Sequence, residues 1–392
     1  ITDKVVESYV AQLYSNWSDS FSTEVKLSYR DYSAIRNPFS RLPSISVAFG
    51  TPNPATGAPT SPFLNFGTDT FSHVNVLETD TLNLFAAGTY YVGDHEIKFG
   101  FDYEDNGILN IFGQNLFGSY SFASIEDFRN GTYWSYSSNA PQPGQPLNSI
   151  AADYNQKNLG LFIQDRWAVN YNLSLLFGLR ADRVSLSDDP QYNALVDRVF
   201  GLSNQYIPGG TLWQPRLGFN YTFDTERPTQ LRGGVGLFQG AAANVWIGNS
   251  FANTGQNLVT YQTPAFGNLT EAQRQAIRNQ FPFSVNPDNQ PQPATNRAIA
   301  VNLMEDGFNQ PSVWKANLAF DHELPWYGIV ASAELLLTNV KDGLHYERLD
   351  LGNPTGTGQD GRLMYWSNLA TGGGVRANQQ AAINALRAAG QM

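Results

Sequence analysis

The chain has 392 residues, a formal net charge of −10, and 25 Phe, 19 Tyr and 8 Trp against 15% charged residues. It is too aromatic for a disordered chain, and its acidic balance argues against nucleic-acid binding, which needs clustered Lys and Arg. With no cysteine there is neither a disulfide framework nor a thiolate metal site; no 18-residue apolar run predicts a transmembrane helix, although membrane barrels carry a much weaker signal per segment.

In chain order, the first predicted element is a hairpin about Ser18–Ser20. Phe21, Thr23, Val25, Leu27 and Tyr29 share one face, and Ser22, Glu24, Lys26, Ser28 and Arg30 the other. A period of two is the strand signature. A long link follows, roughly Ala34 to Ser72. The second hairpin turns at Gly93–Asp94, with Ile97, Phe99, Phe101 and Tyr103 opposing Glu96, Lys98, Gly100 and Asp102. The next long link, Gly107 to Ile150, contains the Pro-rich piece "APQPGQP".

The third hairpin reads "NLGLFIQDRWAVNYNLSLLFGLRADRV". Leu159, Leu161, Ile163 and Trp167 alternate with Gly160, Gln164 and Arg166; Leu173, Leu175, Phe177, Leu179 and Ala181 alternate with Ser174, Gly178, Arg180 and Asp182. Pairing Trp167 with Leu173 sets Ile163 opposite Phe177 and Leu161 opposite Leu179, one register for both strands. Asp165 falls on the apolar face, close to the turn, where a charge facing lipid costs only about 0–1 kcal/mol. In the link from Ser187 to Thr211, Asp188 and Asp189 of "SLSDDP" are candidate calcium ligands, although a solvated turn is the commoner role for such a pair; no other cofactor is expected.

The fourth hairpin turns at Thr225–Pro228 and carries Arg216 and Arg232; its "RGGVG" is no phosphate loop, because no helix follows. The link from Ala241 to Pro311 holds "GNLTEAQRQAIRNQF", a predicted helix with Thr270 as N-cap before Gln273, and the Pro-rich "NPDNQPQP". The fifth hairpin turns at Leu324–Trp326. It carries Lys315 and Asp321, then Ile329, Ala331, Ala333, Leu335 and Leu337 opposing Ser332, Glu334 and Thr338. "NQQAAINALRAAG" near the end is a second predicted helix, and both helices are expected to fold over the mouth of the structure. The four histidines, His73, His95, His322 and His345, have no metal-ligand spacing and read as turn or lumen residues.

Tight turns and long links alternate through ten strands, the pattern of an all-β, antiparallel transmembrane barrel. Aromatics gather at the tight turns: Trp17, Phe21, Tyr91, Trp167, Tyr171, Phe223, Trp326 and Tyr327. A soluble sandwich or propeller would also alternate, but it needs neither the aromatic end nor the one-sided loops. Residues 1–342 are thus read as five membrane hairpins with long extracellular loops, and 343–392 as an extracellular loop and tail before further strands. Lipid is expected to cover Leu161, Ile163, Leu175, Phe177, Leu179, Phe99, Phe101 and Leu335. The lumen is expected to be lined by Glu24, Lys26, Arg30, Lys98, Asp102, Arg166, Arg180, Asp182, Arg216, Arg232, Lys315 and Glu334, wall charges that satisfy one another.

The segments "GLFIQDRWAVNYNLSLLFGLRADRV" and "WQPRLGFNYTFDTERPTQLRGGVGLFQG" resemble consecutive hairpins of TonB-dependent outer-membrane receptors. "DTLNLFAAGTYYVGDHEIKFGFDYEDNGILNIF", "QPSVWKANLAFDHELPWYG" and "GQDGRLMYW" resemble the Oar-like branch of that family. The resemblance implies a plugged barrel of about 22 strands, energised through TonB, in the outer membrane of a Gram-negative bacterium. This chain departs from the family in having ten strands and no plug or TonB box, and is expected to be an internal segment of a longer receptor. The implied function is a non-enzymatic receptor and transporter whose loops capture a ligand, a peptide or protein fitting them better than a chelated metal. The alternative is a surface or secretion-associated protein whose barrel anchors loops that bind another protein, including other outer-membrane proteins.

Overall fold

The computed structural model describes residues 2–240, 244–292, 300–351 and 354–365. The elements in chain order are β1 (Thr2–Ser18), β2 (Phe21–Arg36), β3 (Ser44–Ala48), β4 (Phe63–Phe66), β5 (Val74–Val92), β6 (His95–Gly113), β7 (Ser119–Phe122), α1 (Ile125–Arg129), β8 (Ser135–Pro141), β9 (Ala152–Ala168), β10 (Leu173–Leu186), α2 (Ala194–Phe200), β11 (Thr211–Thr222), β12 (Thr229–Gln239), α3 (Asn244–Ala252), β13 (Leu258–Gln262), α4 (Glu271–Gln280), β14 (Ser312–Glu323) and β15 (Val330–Asp342). Ten of the strands form one antiparallel meander in the order β1-β2-β5-β6-β9-β10-β11-β12-β14-β15, whose edges are β1 and β15. All five hairpins and the alternation of short and long links are as the period-two pattern requires.

Two expectations are corrected. The β9–β10 register pairs Trp167 with Leu175, Ile163 with Leu179 and Leu161 with Ala181, two residues from the expected pairing. The turn sets this slip: the Asn170 side chain accepts from the backbone N–H groups of Asn172 and Leu173 (2.9 Å each), an Asx turn that holds Leu173 out of the ladder. A shift of two leaves every side chain on its face. Further, β6 does not end at Gly107 but continues to Gly113, because Ile108, Ile111 and Phe112 find partners along the start of β5.

The long links are not bare loops. Three of them contribute strands to a second sheet, β13-β8-β7-β3-β4. Its core is Ile45, Val47, Tyr120, Phe122, Tyr133, Tyr136 and Phe266, with Phe283 and Trp134 against it. The buried phenols need acceptors, and the fourth long link supplies them. Tyr133 donates to Phe281 O (2.7 Å), Tyr136 to Pro291 O (2.7 Å) and Tyr120 to Gln290 Oε1 (2.9 Å). The described part of the Pro-rich "NPDNQPQP", residues 286–292, is thus a docked strap. Burial pushes all three phenols up, Tyr133 to about 12. The helix α4 forms with the capping box its sequence predicts: Gln273 N–H donates to Thr270 Oγ1 (3.3 Å), and Thr270 N–H to Gln273 Oε1 (2.9 Å). Arg274 ties it down, donating to Thr56 O and Phe266 O and lying 4.7 Å over Trp134. The other predicted helix, "NQQAAINALRAAG", lies outside the described residues. The helix α3 presses Ile247 and Phe251 onto Tyr154, Ile108 and Leu186 of the large sheet, on its charged face at the long-link end.

At the base of these loops His73 is buried and stacked on Phe117. Its Nδ1 accepts from Phe117 N–H (2.9 Å), which leaves Nε2–H to donate to Thr68 O (3.0 Å). The ring is therefore neutral, and burial pulls its pKa below 6.5.

Candidate functional site

The charged face of the large sheet carries its polar chemistry in three clusters. In the first, Arg180 on β10 donates from Nε and Nη2 to Asp182 (2.7–2.9 Å), and its Nη2 lies 3.5 Å from Asp102 on β6. Gly160 on β9 stands in register between these two acids. A Cβ there would press on the Arg180 guanidinium and on Asp182 Oδ1, so a larger residue must displace those side-chain ends. Asn83 Nδ2 donates to Asp102 (2.9 Å), and Gln214 Nε2 donates to Asp182.

The pairing of β11 with β12 stops at Arg216↔Gly236; Pro215, next along, has no N–H for a ladder. The Gln214 side chain takes over, accepting from Gln239 N–H at 2.9 Å. Arg216 stands between Gly178 and Gly236 on the flanking strands and packs 4.9 Å over the Phe238 ring. Its Nε is buried without a hydrogen-bond partner. These groups line a cavity of about 310 Å³, bordered also by Glu104, which accepts from Asn158 Nδ2 (3.0 Å).

In the second cluster Glu24 on β2 meets Lys98 on β6 (3.4 Å) and Gln12 on β1 (2.9 Å), while Arg30 donates to Thr81 (3.4 Å). The Phe85 ring lies under Lys98 and stacks on Phe162 at 5.9 Å. In the third, Arg232 on β12 bonds Asp321 on β14 (3.1 Å), and Asn317 donates to Glu334 on β15 (3.0 Å). Lys26, Arg166 and Lys315 share the face but join none of these clusters.

Of the twelve charges read from the sequence, Asp102, Arg180, Asp182 and Arg216 come together about the cavity, and Glu24 meets Lys98. Sequence reading missed Gln214, the Asn83 and Asn158 amides, and the rings of Phe85, Phe162 and Phe238 on the same face. The rings were visible: Phe162 shares parity with Gln164 and Arg166, and Phe238 with Arg232.

The opposite face is apolar. Leu161, Ile163, Phe177, Leu179, Phe99 and Leu335 are exposed on it, with Leu175 and Phe101 half-buried beside them. Asp165, near the tight-turn end of this face, is paired: Oδ2 lies 2.7 Å from His95 Nδ1, and the imidazole stacks on Trp167. This apolar face ends on a charged residue toward the long links: Tyr29 gives way to Asp31, Leu82 to Asp80, Tyr103 to Asp105, Leu159 to Lys157 and Ala181 to Arg183.

No group of three or more His, Asp or Glu among the described residues is placed to hold a metal. Asp188 and Asp189 are exposed, and Ser187 Oγ donates to Asp188 (2.6 Å). Of the histidines, His322 Nδ1 lies 2.8 Å from Thr229 Oγ1 and His345 is exposed.

Among solved structures, the copper transporter OprC is similar at TM-score 0.43 and 16% identity, over 85% of this chain and 38% of that one. A mutant of the ferric enterobactin receptor PfeA from Pseudomonas aeruginosa is similar at 0.44 and 13%, over 87% and 35%. The ferric-catecholate import receptor Fiu from E. coli K12 is similar at 0.38 and 11%, over 86% and 41%. The chain therefore spans less than half the length of each. No curated protein sequence matches it. Residues 3–387 match the family model described as outer membrane beta barrel domain, and the chain belongs to that family, whose place is the outer membrane of Gram-negative bacteria.

Proposed function

We propose that this chain is part of the wall and mouth of a TonB-dependent receptor, its apolar face in lipid and its charged face toward a plugged lumen. The observation that carries the reading is the line along which the apolar face stops. Asp31 pairs with Asp80, so the border is level across β2 and β5. On β6 it has moved two residues toward the tight turns, since Leu82 faces Asp105. It is level again at Asp105↔Lys157, moves two more residues on β10, where Leu159 faces Arg183, and reaches β11 at Thr211. That is four residues over the four intervals from β5 to β11. At ~3.3 Å along the strand and ~4.8 Å across it, the border runs at about 35° to the strand perpendicular. A flat membrane surface cutting a barrel whose strands tilt by ~35–45° requires this slope; a sandwich core has no such reason to end obliquely.

Aromatics support the same reading. Trp213 and Trp314 stand on the apolar face where β11 and β14 begin, and Tyr221 near the other end of β11. From Trp213 to Tyr221 a tilted strand rises ~20 Å, comparable to the ~25 Å apolar band of membrane barrels. In lipid an open sheet edge leaves backbone groups unpaired at several kcal/mol each, so β1 and β15 are proposed to pair with further strands. The cavity about Arg180 and Arg216 faces the plug, and the loop-built sheet over it takes the ligand. Oar-like membership belongs to the same proposal.

One observation favours the second reading, a surface protein that anchors protein-binding loops: β4 is a free edge of the loop-built sheet, with Phe63, Leu64 and Phe66 exposed. The test is accumulation of labelled peptides by cells carrying the full-length protein, with and without a functional TonB system. The receptor reading expects TonB-dependent accumulation that is lost with the loops of 37–73 and 114–151. Loop-dependent surface binding with no accumulation would favour the anchoring role.

A further inference from the structure

We propose that Lys157 and Arg183 form a docking site for the phosphate group of a membrane lipid, at the long-link border of the apolar face. The inference rests on that face being in lipid. Lys157 on β9 and Arg183 on β10 are diagonal neighbours, because Leu159 faces Arg183 and Lys157 faces Ser185. Diagonal pairs on one face stand ~7–8 Å apart, within reach of one phosphate for side chains of this length.

Arg183 is unspent and Lys157 is only loosely held. Among the described residues Arg183 has no hydrogen bond or ion pair, and it is exposed. Lys157 has one contact, 3.9 Å to Asp105, and that carboxylate is already served by Asn155 Nδ2 (3.2 Å) and Tyr103 OH (3.3 Å). Asp31, Glu78 and Asp80 share the apolar side of the sheet but lie on β2 and β5, and Asp153 lies two positions beyond Asn155; among the border residues traced from β2 to β11, the cations are Lys157 on β9 and Arg183 on β10.

The surroundings suit a lipid better than a free ion. Immediately toward the tight turns lie Leu159, Ala181 and Leu179, and Trp213 faces Ala181 from β11. A phosphate held at Lys157 and Arg183 would therefore lay its acyl chains along exposed leucines, with an indole at headgroup depth. Ser185, opposite Lys157 and two residues along β10 from Arg183, adds a hydroxyl donor.

The test uses the full-length protein in nanodiscs of phosphatidylcholine doped with phosphatidic acid, with lipid retained after detergent extraction quantified by mass spectrometry. Each basic residue near an anionic membrane surface contributes about fivefold, so the pair should enrich phosphatidic acid by about 25-fold over phosphatidylcholine. Lys157→Gln or Arg183→Gln alone should leave about fivefold and the double variant none, while Arg183→Lys keeps most of it. Heat-modifiable migration confirms that each variant is folded. Wild-type protein without enrichment, or a folded double variant that retains it, overturns the proposal. So does inorganic phosphate that displaces the lipid from the detergent-solubilised protein at equal concentration, since the site would then be one for the free ion. Quenching of a probe at Leu161→Cys by a nitroxide lipid tests the underlying face assignment separately.

Discussion

Arg180→Leu is the most informative substitution of the wall. On the sequence alone it removes one charge from a wet surface and should be cheap. The structure reverses that. Arg180 makes three bonds of 2.7–2.9 Å to Asp182 and a 3.5 Å contact to Asp102, so its loss leaves two carboxylates flanking Gly160 with the Gln214 and Asn83 amides and the Arg216 charge across the cavity. Removing one partner of a fully buried pair costs ~3–5 kcal/mol. Here the side chains are 24% and 13% exposed and border a cavity, so water recovers part of this, and ~2–3 kcal/mol is expected. Phe177→Arg, midway along the apolar positions of β10, should cost ~2–4 kcal/mol for a different reason, an uncompensated charge in hydrocarbon. Lys26→Gln, outside every cluster, should stay within ~0.5 kcal/mol of wild type. Urea unfolding in lipid vesicles, followed by tryptophan fluorescence, measures all three. Adding Asp182→Asn to Arg180→Leu should recover about half of the loss, whereas Asp182→Asn added to Phe177→Arg should recover none. An Arg180→Leu protein as stable as wild type, or a double variant no better than the single, would refute the account of the cluster.

Gly160→Ala should cost less than Arg180→Leu but displace the guanidinium from Asp182, since the added Cβ meets the flexible end of Arg180 and not backbone; hydrogen exchange of the β9 and β10 amides would register the shift with the ladder intact. Thr270→Ala removes the capping box of α4 and should lower local stability by ~1 kcal/mol, seen as faster exchange over 271–274 without change in the barrel amides. The His73 contribution has a definite sign: its folded pKa lies below 6.5, so its stabilisation is complete above 6.5 and is lost as pH falls from there through the lower folded value. Protection of the Phe117 amide should weaken over that window, and His73→Gln should abolish the pH dependence. Buried Tyr133 should resist ionisation until about pH 12, above the ordinary phenol value of ~10, which ultraviolet difference spectra of wild type and Tyr133→Phe would register.

The ten-stranded meander and its two faces were legible because each strand repeats one simple constraint, alternation, over 11 or more residues. The capping box of α4 was legible for the same reason, since Thr270 and Gln273 are neighbours in sequence. What the sequence hid depends on contacts between links far apart in the chain. Tyr120, Tyr133 and Tyr136 look like ordinary loop aromatics until Phe281, Gln290 and Pro291, some 150 residues later, accept their hydroxyls. The β9–β10 register slipped for a local reason, the Asx turn at Asn170, and cost nothing because the slip was even. Wall charges could be assigned to a face but not to partners: parity places Arg180 and Arg216 alike, and only register shows that one meets two acids while the other stands between glycines.

The central claim is that the face bearing Phe99, Leu161, Phe177 and Leu335 lies in lipid while Gln164 and Ser174 look into water. The chain has no cysteine, so single-cysteine variants at these six positions report without background from it, any cysteine elsewhere in the full-length protein being replaced by serine. In reconstituted full-length protein, a probe on the first four should be quenched by nitroxide lipids and spared by a charged aqueous thiol reagent, with the reverse at Gln164 and Ser174. Aqueous reactivity at Phe177→Cys and Leu161→Cys, or equal labelling of the two sets, would contradict the membrane wall.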